Sequence, residues 1–100
     1  MALWSVYLVR CADGSLYCGI ALDVAARLAA HAEGKGARYT RGRGPFELLV
    51  VRRVRTKETA LRLEYAIKQL PRREKLALAD DAARLEPLVR RIGRRARADA

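Results

Sequence analysis

Two phenols, a guanidinium, an imidazole and a carboxylate stand out in this chain: Tyr7, Tyr17, Arg27, His31 and Glu64. Together they make a kit for cutting a phosphodiester. That hydrolysis needs an activated water, stabilisation of the charge building on phosphorus and relief for the leaving oxygen. Each residue also has a duller reading. A tyrosine in an apolar strand is commonly core with its hydroxyl at the edge, and a lone histidine is commonly a surface residue. Arg27 could pair with Asp23, and Glu64 with Lys68, at an i, i+4 spacing worth only tenths of a kcal/mol. Chemistry requires that the elements carrying the five residues bring them together.

The first element is a strand over Leu3 to Arg10 (LWSVYLVR), dense in β-branched and aromatic residues. Ala12-Asp13-Gly14 follows, and Ser15 to Ile20 forms a second short run. A three-residue loop wants a left-handed residue in its last position, which Gly14 supplies. That loop pairs Cys11 with Ser15, Val9 with Tyr17 and Tyr7 with Gly19. Both tyrosines then share one face of the hairpin, because directly opposed residues do. A two-residue Asp-Gly turn would put them on opposite faces. Asp23 caps the helix VAARLAAHAE, which stops near Gly34. Val24 and Leu28 form its apolar stripe, with Arg27 and His31 on the rim.

From Gly34 to Gly44 the chain reads GKGARYTRGRG, with four glycines, no acid, and Lys35, Arg38, Tyr39, Arg41 and Arg43. It is either a phosphate-binding loop or a solvated connector. Phe46 to Val54 (FELLVVRRV) is a strand whose continuous apolar centre suits the middle of a sheet. Thr56 caps the next helix, with Thr59 completing an imperfect capping box. Ala60, Leu63, Ile67 and Leu70 form that helix's buried stripe, and Glu64 borders it. Pro71 opens a third helix, about Arg72 to Ala79. Leu85, Leu88, Val89 and Ile92 keep helical spacing, interrupted at Pro87, and the arginine-rich stretch from Arg90 onward frays. This gives one domain over residues 1–82 and a basic extension over 83–100, with no internal repeat.

Twenty-one basic residues stand against 11 acidic ones, a net charge of +10 that attracts polyanions, nucleic acid first. Part of this reflects coding bias, since arginine outnumbers lysine 17 to 4, alanine reaches 18 and asparagine is absent. No run of apolar residues is long enough for a membrane span, and the N-terminus lacks signal-peptide features. Cys11 and Cys18 read as free thiols, and the expected location is the cytoplasm.

Ser5-Val6-Tyr7, then Tyr17-Cys18-Gly19, then Arg27, His31 and Glu64 resemble the GIY-YIG nuclease superfamily. CADGSLYCGI, GKGARYTRGR and EYAIKQL look like its small single-domain bacterial branch, which is similar to the nuclease domain of structure-specific junction endonucleases. The resemblance covers roughly residues 3 to 80. In the first tripeptide Ser5 and Val6 replace Gly and Ile, and in the second Cys18 replaces Ile. Ala21 stands where this branch often has threonine, and the late asparagine of larger members is missing.

The resemblance implies an α/β (α+β) fold, a small, mainly antiparallel three-stranded sheet flanked by helices. It implies a metal-dependent DNA endonuclease acting on branched or damaged DNA in repair or recombination. Tyr7 would take the proton from the attacking water, and Tyr17 would hydrogen-bond the water or the phosphate. A phenol with a pKa of about 10 is a poor base at neutral pH, so Tyr7 needs nearby positive charge or a relay. Arg27, His31 and a metal could supply these, and Arg27 would also fork onto phosphate oxygens. Mg²⁺ or Mn²⁺ would sit on Glu64, since Mg²⁺ commonly takes only one or two carboxylates. Lys35, Arg38, Tyr39, Arg41, Arg43 and Lys68 would bind the nucleic acid. DNA is the expected partner, with RNA and a targeting protein as further candidates. The alternatives are a non-catalytic nucleic-acid-binding module and a small structural protein that binds RNA or a larger partner.

Overall fold

The computed structural model describes residues 3–33 and 44–98, with side chains through residue 93. Strand β1 (Trp4–Arg10) and strand β2 (Leu16–Ala21) form the hairpin, and helix α1 (Val24–Ala32) follows. Strand β3 (Glu47–Val54) completes the sheet. Helices α2 (Lys57–Lys68) and α3 (Arg72–Asp80), a 3₁₀ turn (Ala82–Leu85) and helix α4 (Glu86–Ala98) complete the chain. The fold is α/β, with three antiparallel strands in the order β2-β1-β3.

The hairpin register follows from its turn. Gly14 takes φ +85°, its amide donates to the Cys11 carbonyl at 2.9 Å, and the Cys11 amide donates to the Ser15 carbonyl at 2.8 Å. Three residues therefore form the loop, and β1 pairs Tyr7 with Gly19 and Val9 with Tyr17. The Asp13 carboxylate accepts from the Ser15 amide at 3.0 Å. Arg72 of α3 donates to the Gly14 carbonyl at 2.8 Å, tying the hairpin tip to a helix 58 residues away.

The sheet separates two apolar layers. Val6, Leu8 and Cys18 point into the larger one, meeting Ala60, Leu63 and Ile67 of α2, Leu78 of α3, Leu85 and Ile92. Tyr7, Val9 and Ala21 point into the smaller one, against Tyr17, Phe46 and the α1 residues Val24 and Leu28. Alternation along β1 explains the division, because successive side chains project to opposite faces. Both helix caps expected at the start of α1 and α2 form. Asp23 accepts from the Ala26 amide at 3.0 Å, and Thr56 accepts from the Thr59 amide at 3.1 Å.

Two expectations are corrected. The central strand is β1, not the FELLVVRRV strand, which lies at an edge. All of Ser5 to Val9 is buried, whereas Leu48 and Val51 in β3 are 44% and 41% exposed. A continuous apolar run therefore did not mean burial on both faces. Pro87 also does not interrupt a helix: it falls in the first turn of α4, where its missing N–H costs nothing, after the 3₁₀ turn has redirected the chain. Leu85 and Ile92 of the 83–100 stretch sit in the same core as Val6 and Leu63.

Candidate functional site

Tyr7 is 1% exposed in the middle of β1, and the absence of a side chain at Gly19 makes room for its ring. A Cβ at Gly19 would stand 2.6 Å from the Tyr7 hydroxyl oxygen, and 3.0 Å from Cε1 of Tyr17. The glycine directly opposite in the register is therefore the seat of the phenol. Tyr17, half-buried, lies on the same face, with its ring centroid 6.3 Å from that of Tyr7.

His31 comes from the last turn of α1 and is 2% exposed. It lies seven residues beyond Val24, two helical turns on, and so joins the inward stripe. The expected rim position for His31 is thus corrected to a buried one. Its ring meets Tyr17 edge-on at 5.6 Å and Phe46 at 5.9 Å, while Nε2 lies 3.0 Å from the Tyr7 hydroxyl. Arg27, half-buried one turn earlier, turns its guanidinium toward the same phenol.

The electrostatics fix the direction of this hydrogen bond. Burial, and secondarily the Arg27 charge, hold the His31 imidazole below its ordinary value of 6.5, so it is neutral at pH 7. Burial pushes the Tyr7 phenol up to about 12, helped by Tyr17 and opposed by Arg27. A protonated phenol beside a neutral imidazole donates, so Tyr7 O–H points at Nε2 and the ring proton resides on Nδ1. At rest Tyr7 is no base.

Glu64 reaches the region from the other layer. It lies on α2, which covers the sheet face opposite Tyr7, and its side chain is 19% exposed. Lys68 Nζ approaches Oε1 of Glu64 at 3.6 Å. The buried Cys18 thiol is pushed up to about 12, first by burial and then by the Glu64 charge, with Lys68 and Lys75 opposing. The structure brings Tyr7, Tyr17, Arg27 and His31 together on the α1 side, while Glu64 comes from α2, the helix of the other layer. Cys11 and Cys18 are both buried free thiols, as expected.

Lys35, Arg38, Tyr39, Arg41 and Arg43 lie outside the described residues. Among the described residues, no three side chains of His, Cys, Asp or Glu converge as a ligand cluster. The donor set present, a single carboxylate, suits a hard cation that keeps most of its waters and takes further oxygens from a phosphate. The sequence reading missed Gly19 as the seat of Tyr7, Phe46 as a wall for His31, and Lys75 near Cys18. The alternation that pairs Tyr7 with Gly19 was a usable signal for the first; the other two depend on tertiary packing.

Residues 3–77 match the model of the GIY-YIG catalytic domain. The chain is 55% identical over 75 residues to a UPF0213 protein of Oceanobacillus iheyensis, covering 75% of this chain and 87% of that one. It is 50% identical over 86 residues to a UPF0213 protein of Vibrio cholerae, covering 85% of each. The solution NMR structure of a UPF0213 protein from Bacillus halodurans superimposes with a TM-score of 0.51 at 49% identity, over 78% of this chain and 83% of that one. No helix among the described residues is long and apolar enough to cross a membrane.

Proposed function

This chain belongs to the GIY-YIG nuclease family, and on that premise we propose that it hydrolyses phosphodiester bonds in DNA through the Tyr7–His31 pair. The 3.0 Å contact between the Tyr7 hydroxyl and a neutral His31 carries the reading. A phenol pushed up to about 12 cannot wait as phenolate, but it can take a proton while giving one away. Water loses a proton to the Tyr7 oxygen as the phenolic proton passes to Nε2 of His31. The resulting hydroxide attacks phosphorus, and the P–O bond to the leaving strand breaks. The leaving oxygen takes a proton from solvent, while His31 returns its own to the Tyr7 oxygen as Tyr7 releases the water-derived proton to solvent. Arg27 forks onto the non-bridging oxygens, and its charge eases each moment at which Tyr7 carries phenolate character. Tyr17 holds the water or a phosphate oxygen by its hydroxyl.

Glu64 is the residue that would hold a divalent ion, Mg²⁺ or Mn²⁺. Such an ion supplies Lewis-acid stabilisation of the phosphate and leaving oxygens when bound. The Lys68 ammonium 3.6 Å away would exchange its pairing with Glu64 for a phosphate of the substrate. The basic residues 35–43 would follow the DNA backbone, and repair or recombination intermediates are the substrate class. We place the protein in the cytoplasm, as residues 1–82 carrying the nuclease and 83–100 extending it. A targeting protein partner fits the same reading.

The test is cleavage of a panel of branched, nicked and single-stranded DNAs in Mg²⁺ and Mn²⁺, run beside Glu64→Ala. Cutting by the wild type that Glu64→Ala abolishes supports the proposal. A second reading is favoured by one observation, the Glu64–Lys68 ion pair in the layer opposite Tyr7. On that reading Glu64 is structural and the protein binds nucleic acid without turnover. Binding with no cutting of any substrate would select it.

A further inference from the structure

A groove of about 730 Å³ runs between α2 and α4, on the helical layer away from Tyr7. One wall is Leu61 and Tyr65, 46% and 67% exposed, and the other is the half-buried Leu88 beside Ile92, a core residue 8% exposed. Leu61 and Tyr65 are spaced i, i+4, so the α2 wall presents two apolar steps about 6 Å apart along the helix. Arg62 and Arg91 also line the groove. The second wall lies beyond residues 3–77, the part of the chain that matches the catalytic-domain model.

The geometry points to a partner: we infer that this groove docks an acidic amphipathic helix of another protein. The exposed row of Leu61 and Tyr65, with Leu88 across from it, matches the i, i+4 anchors of a helix lying in a groove. Charge selects among amphipathic helices. The α4 sequence carries five arginines against one carboxylate, Glu86, and that carboxylate already pairs with Arg52 at 3.0 Å. On the α2 side, Arg62 is paired with Glu58 at 2.8 Å, and on the α4 side the exposed Arg91 gives the groove a positive rim. A helix with leucines facing the groove and glutamates toward Arg91 satisfies both walls and rim. A second copy of this chain would set two arginine-rich helices against each other. A DNA backbone would meet the arginines but leave Leu61 and Tyr65 uncovered.

The probe is a synthetic helix-prone peptide with leucines at i, i+4 and i+7 flanked by glutamates, beside a twin in which every glutamate is lysine. Each is titrated into the ¹⁵N-labelled full chain. The expected result is saturable binding of the acidic peptide alone, with amide shifts concentrated at 61–69 and 88–92. Leu61→Ser and Tyr65→Ser replace exposed side chains and keep the fold, and each should weaken binding about tenfold. The inference is overturned by absent binding, by equal binding of the lysine twin, by shifts spread over other basic surfaces, or by serine variants that bind as wild type does. Duplex DNA that shifts the same amides and displaces the peptide would equally overturn it, assigning the groove to nucleic acid.

Discussion

Gly19 lies directly opposite Tyr7 in the hairpin, and a single added carbon there would stand 2.6 Å from the phenol oxygen. The position of the hydroxyl that meets His31 is thus set by a missing side chain on the neighbouring strand. Gly19→Ala should displace the Tyr7 ring and break its contact with Nε2 of His31. Because a small misplacement of a reacting group is costly, cleavage should fall about 100-fold. Overpacking should cost about 1–3 kcal/mol of stability, read by thermal unfolding. Wild-type cleavage in a folded Gly19→Ala protein would show that the phenol need not sit there.

His31 gives a pH signature with a fixed sign. Its folded pKa lies below its ordinary 6.5, so the unfolded chain binds the proton more readily. The stability it contributes is present above pH 6.5 and is lost as the pH falls through the lower folded value. The unfolding temperature should therefore drop as the pH falls below about 6.5, and His31→Gln should flatten that part of the profile. An identical slope in both proteins would remove His31 as its source.

Much of the site was legible in the sequence, and particular residues explain why. Gly14 fixed the loop length, the loop length fixed the register, and the register put Tyr7 and Tyr17 on one face. Local rules sufficed there, as they did for the caps at Asp23 and Thr56. The burial of His31 was only half legible: its spacing from Val24 and Leu28 puts it on the inward stripe, but the ring of Phe46 that packs against it comes from a distant part of the chain. The layer of Glu64 was not legible: helical spacing set it beside the α2 stripe, but only the packing of Ala60, Leu63 and Ile67 with Val6, Leu8 and Cys18 decides which face of the sheet that stripe covers. The order of the strands was misread for a related reason. Apolar content along β3 does not reveal whether helices cover both its faces, and Leu48 and Val51 remain exposed.

The C-terminal arginines test the electrostatic part of the proposal. A truncation starting at residue 90 would remove Ile92 from the core, so the useful cut removes 94–100 and its three arginines. If all three touch phosphates, the slope of log affinity against log salt should fall by roughly 3. An unchanged slope means that they do not contact DNA.

The most direct measurement is single-turnover cleavage of DNA in Mg²⁺ by wild type and Tyr7→Phe, with binding followed in parallel. Phenylalanine keeps the ring on Gly19 and removes only the hydroxyl that faces His31. The wild type should cut, and Tyr7→Phe should bind the same DNA equally well while its cleavage rate falls at least about 100-fold. Cutting by Tyr7→Phe at the wild-type rate would contradict a mechanism that runs through the Tyr7–His31 pair.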